Sequence, residues 1–202
     1  MQHMNPKDYS FNNATNKDFF QNHREIIKKN SGFIEDQNNY TDMMYGKKTV
    51  RFCGCEVIAT YNALYSIHRR NPISFSDMLT EYEKDGMVLS GYFGTSPKSI
   101  CHYLNKHGYI TEFTTKLSEF DRIGAESDSL ILTIYNDGTD IMKAVHTVNV
   151  SKENGRYVGH NVYGNGRVAG PYNSVTELME GINNGKSKAI SLIGVNVKRT
   201  IR

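Results

Sequence analysis

The hydrophobic period of this chain changes once, near residue 109, and that change constrains the fold more than any other feature. Between residues 53 and 108 apolar side chains recur at helical spacing, whereas from 109 onward they come in β-branched and aromatic runs of strand length. CEVIATYNALYSIHRR (55–70) places Ile58, Tyr61, Ala63, Leu64 and Ile67 near one side of a helix that Asn71-Pro72 ends. SFSDMLTEYEKDG (74–86) predicts a second helix, capped by Ser or Asp, with Met78, Leu79 and Tyr82 inward and Gly86 after its end. SPKSICHYLNKHG (96–108) predicts a third, with Pro97 in its first turn and Gly108 past its end. Strands are expected at 109–115, 129–136, 144–150, 156–164 and 189–197, and short helices at 117–124 and 174–184. Helices first and strands afterwards imply an α+β fold, an N-terminal helical layer packed on a C-terminal antiparallel sheet.

Residues 1–48 lack this patterning and are rich in Asn, Asp, Gln and Lys. They are expected to form an N-terminal extension, partly helical or mobile, that wraps a single domain spanning 49–202. Its one candidate helix is DFFQNHREIIKK (18–29), with Phe19, Phe20, Ile26 and Ile27 as a partial apolar side. The apolar loop MVLSGYFGT (87–95) either walls a cleft or packs inward, and GNGRVAGP (164–171) reads as a turn.

Composition narrows the partners. The net charge of +3 is mixed along the chain without a Lys/Arg stripe, which argues against nucleic acid. No apolar run reaches the ~20 residues that span a bilayer. The start, MQHMNPKDYSFNN, lacks a charged segment followed by an apolar one, so the expected location is cytoplasmic, or exported without a standard signal peptide. The three cysteines, Cys53, Cys55 and Cys101, make a poor disulfide framework, which turns attention to reactive or metal-binding thiols.

Cys55 falls where the turn Cys53-Gly54 enters the first turn of a helix. Unpaired N–H groups and the helix dipole there favour an anion and are expected to lower the thiol pKa. Cys53 also precedes a Gly and is the alternative nucleophile. A Cys53/Cys55 metal site with His102 or His107 has too short a spacing for ordinary zinc coordination, so no cofactor is expected. Taken singly, Cys55 reads equally well as a small buried thiol, and His146, on a strand beside Ala144, Val148 and Val150, as a core histidine. The hairpin that follows sharpens this. If Asn154-Gly155 form a two-residue turn, Val148 lies opposite Asn161 and His146 lies diagonal to it on the same face; a four-residue tip puts His146 and Asn161 directly opposite. A slip of one residue brings His160 to that face instead.

A cysteine at a helix start, a histidine on a strand and an asparagine on the next strand resemble the papain-like fold, specifically the bacteriocin-processing-peptidase-like family of cysteine peptidases. The resemblance rests on Gly54-Cys55-Glu56-Val57 running to Leu64, on His146-Thr147-Val148-Asn149-Val150, and on Tyr157 to Asn161, and covers about residues 50–197. It implies a peptidase acting on a peptide or protein substrate through a thioester. Cys55 would be nucleophile, His146 base and acid, and Asn161 would orient the imidazole through its side-chain carbonyl. The family's oxyanion Gln, about six residues before the nucleophile, is Thr49 here. Either Gln37, Asn38 or Asn39 folds back into its place, or another donor serves, or the domain is catalytically silent and binds. An effector that cleaves or deamidates another protein on the same fold is a further alternative.

Overall fold

A computed structural model describes residues 6–22, 32–136 and 145–198. The helical half contains α1 (Pro6–Asn22), α2 (Val50–Cys53), α3 (Cys55–His68), α4 (Phe75–Asp85) and α5 (Pro97–Lys106), with a small hairpin of β1 (Met44–Tyr45) and β2 (Lys48–Thr49). The second half contains β3 (Tyr109–Thr114), α6 (Phe120–Glu126), β4 (Ser129–Tyr135), β5 (Val145–Glu153), β6 (Arg156–His160), β7 (Ala169–Tyr172), α7 (Val175–Gly181) and β8 (Lys188–Val197). The six later strands form one antiparallel sheet in the order β3-β8-β4-β5-β6-β7. This is the α+β layout that the change of period implies.

Local chemistry sets the element ends where expected. Ser74, Ser96 and Ser174 each accept a hydrogen bond from the backbone N–H three residues on, at 3.1, 3.1 and 3.0 Å. Asn154 and Gly155 both have positive φ (52° and 76°), the two-residue turn that suits a twisted hairpin. It fixes the register Glu153↔Arg156 through Asn149↔His160.

The sheet is covered on both faces. Ile131, Ile193 and Val195 join α3, α4 and α5 in one core, while Leu130, Leu132, Val148, Val150 and Leu192 pack under α6 and α7 in another. That explains why β4 reads as a nearly unbroken apolar run rather than an alternating one. α3 is likewise buried around its circumference from Cys55 to Leu64, not on one stripe, because the sheet lies on one side and α4 on another.

The N-terminal region departs from expectation in three ways. The helix Pro6–Asn22 begins twelve residues before the expected start at 18, and residues 23–29 of that expectation, Ile26 and Ile27 among them, lie outside the described residues. Polar side chains anchor it: Asn16 exchanges two 2.8 Å bonds with the Met44 backbone, and Asn12 donates to the buried Glu83 carboxylate at 2.7 Å. No gap in packing marks residue 48, since Ile34, Tyr40, Met43 and Tyr45 are fully buried in the first core. β7 also forms where a turn is expected; its Pro171 is tolerated because β7 is the sheet edge. No helix among the described residues is long and apolar enough to cross a membrane.

Candidate active site

Gly54 lets α2 turn directly into α3, and a Cβ there would sit 2.6 Å from Val50 Cγ1. The turn delivers Cys55 to the first position of α3. Cys55 lines an open cleft of about 520 Å³ together with Gln37, Thr49, Phe52, His146 and Asn161. The residues singled out from sequence therefore meet in one place.

The thiol's electrostatics run opposite to expectation. Burial first, and then the neighbouring Glu56 carboxylate, push the Cys55 thiol up, and a hydrogen bond from the Thr147 backbone only partly offsets them. One turn of helix dipole is outweighed because the carboxylate is itself buried beside the sulfur. Burial raises Glu56 to about 7, and its Oε2 has no hydrogen-bond partner among the described residues. Cys53 faces away: its thiol donates to the carbonyls of Thr49 (3.5 Å) and Tyr45 (3.7 Å), and burial pushes it up to about 12. Cys55, not Cys53, is the thiol that lines the cleft. Among the described residues no group of three or more His, Cys, Asp or Glu suits a metal ion.

His146 is the second residue of β5 and is half-buried. Its Nε2 lies 2.6 Å from the backbone carbonyl oxygen of Asn161. A carbonyl only accepts, so Nε2 carries the proton and Nδ1 of the neutral ring is left basic. Burial lowers the His146 pKa, and the bond to Asn161 works against that fall.

Asn161 follows the last residue of β6 and turns into the left-handed region at φ 58°. Its backbone carbonyl, rather than its side chain, therefore meets the imidazole. The side chain pairs with Gln37 instead: Oδ1 accepts from Gln37 N at 3.0 Å and Nδ2 donates to Gln37 Oε1 at 3.3 Å. Gln37 belongs to the segment 32–40, which Asn62 of α3 grips through bonds of 2.8 and 2.9 Å to the backbone of Ile34. Gln37 Nε2 donates to Arg51 O at 2.9 Å, leaving its second N–H. A glutamine thus lines the cleft from a sequence position upstream of the expected one.

Phe52 lies at the rim, and Lys48 Nζ stands 5.2 Å from its ring and 4.4 Å from that of Tyr92. The loop 87–95 is thereby tied to the cleft edge with Leu89, Tyr92 and Phe93 exposed, while Met87 packs on the core. Sequence reasoning missed Glu35, whose Oε2 accepts from Asn161 N at 3.0 Å. Its partnership spans more than a hundred residues, and no local spacing signals it.

No protein-family model matches the chain, and no curated protein matches it. Among solved structures, the chain is similar to the peptidase domain of Streptococcus ComA, a bi-functional ABC transporter involved in a quorum sensing pathway. The TM-score is 0.41 and the identity 13%, over 71% of this chain and 91% of that one.

Proposed function

We propose that this chain is a papain-like cysteine peptidase, of the bacteriocin-processing-peptidase-like kind, that hydrolyses peptide bonds in a peptide or protein substrate. The observation that carries the reading is the meeting, in one open cleft, of a helix-starting Cys55 and a His146 whose Nε2–H is held by Asn161. With Nε2 so fixed, Nδ1 is the nitrogen left to take the Cys55 proton. The thiolate then attacks the scissile carbonyl carbon and forms a thioester as the amine leaves. The imidazolium returns its proton to that amine, and water, deprotonated by the same ring, releases the acid. The Cys55 N–H and the second Nε2–H of Gln37 are the donors assigned to the tetrahedral oxyanion.

Digestion of a proteome-derived peptide library, read by mass spectrometry, tests this. Cleavage is expected from the wild-type chain and not from Cys55→Ala, with iodoacetamide labelling Cys55 as activity is lost. Cleavage that survives Cys55→Ala, or inactivation with label on Cys53 alone, would sink the assignment.

A second reading, a silent papain-like domain that binds peptides, is favoured by the surroundings of the thiol: its burial, and then the buried Glu56 carboxylate beside it, push the Cys55 pKa up. The alkylation rate against pH separates the two. The peptidase reading expects an inflection well below the ~8.5 of a free thiol, because His146 takes the proton, and the silent reading expects one above it.

A further inference from the structure

Behind the cleft wall lies a second polar cluster that the peptidase chemistry does not use. His160 Nδ1 lies 2.6 Å from Glu35 Oε1, and His160 Nε2 lies 2.8 Å from Ser151 Oγ. In connectivity this is a hydroxyl, an imidazole and a carboxylate in the order of a serine hydrolase triad. Access rules that use out, because Ser151 is 0%, His160 2% and Glu35 4% exposed. The His160 ring is further covered by Phe33, stacked at 3.7 Å and 6°.

The cluster does have a way to influence the cleft. The second oxygen of Glu35 accepts the backbone N–H of Asn161 at 3.0 Å. Asn161 is left-handed, a conformation that asparagine adopts more readily than most side chains but that persists where its surroundings enforce it. Its carbonyl is what His146 Nε2–H meets, and its side chain is what pairs with Gln37, two residues after Glu35.

We infer that Glu35 and His160 are the positioning pair of this cleft: the carboxylate, held by His160, fixes the left-handed Asn161 that aims His146 and seats Gln37. This rests on the peptidase reading for its effect on turnover, but the geometry can be tested without turnover. A glutamine at position 35 offers one acceptor to two donors, His160 Nδ1–H and Asn161 N–H, and turns an N–H₂ toward one of them. Asn161 must then shift.

The test measures Glu35→Gln against the wild type for kcat and KM on a peptide cut by the wild type, and for the His146 Nε2–H resonance by NMR. The expected result is a fall in kcat on the order of 10²-fold with KM nearly unchanged, together with loss or marked shift of that resonance. A folded Glu35→Gln in which either readout matches the wild type overturns the proposal. His160→Gln, which can still donate to Glu35, is expected to keep the resonance and most of kcat; a loss equal to that of Glu35→Gln would overturn the pairing. The wild-type chain supplies a check that needs no variant: the Asn161 amide proton should be strongly protected from exchange, and fast exchange would refute the clamp. A fluorophosphonate probe should leave Ser151 unlabelled, and labelling would mean that the cluster is a site in its own right. If the wild type cuts no peptide, the peptidase reading fails, and the resonance and exchange measurements still decide the clamp.

Discussion

His146 and His160 stand on the two strands of one hairpin and do opposite things. His160 has both ring nitrogens engaged, by Glu35 and Ser151, and no solvent reaches it. Engaged on both sides and shut off from solvent, the ring acts as a strut. His146 is half-buried at the cleft, one nitrogen held by a carbonyl, and its Nδ1 makes no hydrogen bond among the described residues. A basic nitrogen beside a thiol-lined opening is what proton transfer requires. Residue type does not separate the two histidines; the number of engaged nitrogens and the access to solvent do.

The contrast breaks most visibly on substitution. His146→Ala is expected to lower kcat by about 10²–10⁴-fold with the unfolding midpoint close to wild type. His160→Ala removes the ring stacked on Phe33 and leaves Glu35 Oε1 buried without a partner while Oε2 keeps the Asn161 N–H, and it is expected to cost roughly 3 kcal/mol of stability. Measured on the folded fraction, its loss of kcat should be the smaller of the two. Peptide kinetics with denaturant unfolding checks both, and an exchange of the two effects would reverse the roles assigned here.

The two histidines also show what a sequence reveals. The sequence brings His146 and Asn161 together because Asn154-Gly155 dictates a tight turn and the register follows. Helix starts at Ser74, Ser96 and Ser174 were legible for the same reason, since the bonds that make them span three residues. The segment 32–40 was not legible, because Phe33, Ile34 and Tyr40 bury themselves without a period, between polar residues. Glu35 and Gln37 acquire meaning only from Asn161, far along the chain, although Gln37 stood among three candidates for the missing donor. The part of α1 before residue 18 was not legible, because Asn12 and Asn16 dock it, with Phe19 in the core, rather than an apolar stripe. The backbone role of Asn161 was hidden too, since nothing in the order of residues shows a left-handed φ.

The two carboxylates of the site extend the comparison. Glu35 faces a histidine, whereas the Glu56 carboxylate faces the Cys55 thiol and its Oε2 has no hydrogen-bond partner among the described residues. Burial raises Glu56 from the usual 4.5 to about 7, so the folded chain binds a proton that the unfolded chain has lost between those values. Its contribution to stability is full below pH 4.5 and lost as pH rises through 7, an effect on the order of 3 kcal/mol. Glu56→Gln should therefore remove this pH dependence and be the more stable form at pH 8. The same substitution removes a negative neighbour of the thiol, so the alkylation profile of Cys55 should move to lower pH. Thermal unfolding across pH and iodoacetamide rates test the two halves; parallel stability curves would show that Glu56 does not titrate in this range.

The smallest expected effect lies at Asn161, the residue that joins the two clusters. Glycine adopts a φ of 58° without a steric cost, whereas alanine is strained there by about 1 kcal/mol. Both substitutions delete the side-chain link to Gln37, and both keep the backbone N–H and carbonyl. If the carbonyl is what holds His146, Asn161→Gly should retain the wild-type pH profile of kcat/KM, and Asn161→Ala should be less stable than Asn161→Gly by about that 1 kcal/mol. If the side-chain carbonyl held the imidazole during turnover, both variants would lose the acceptor alike and both profiles would shift together. The pair of variants thus separates a backbone that aims a histidine from a side chain that does so, which alanine alone cannot do, because it changes φ preference and side chain at once.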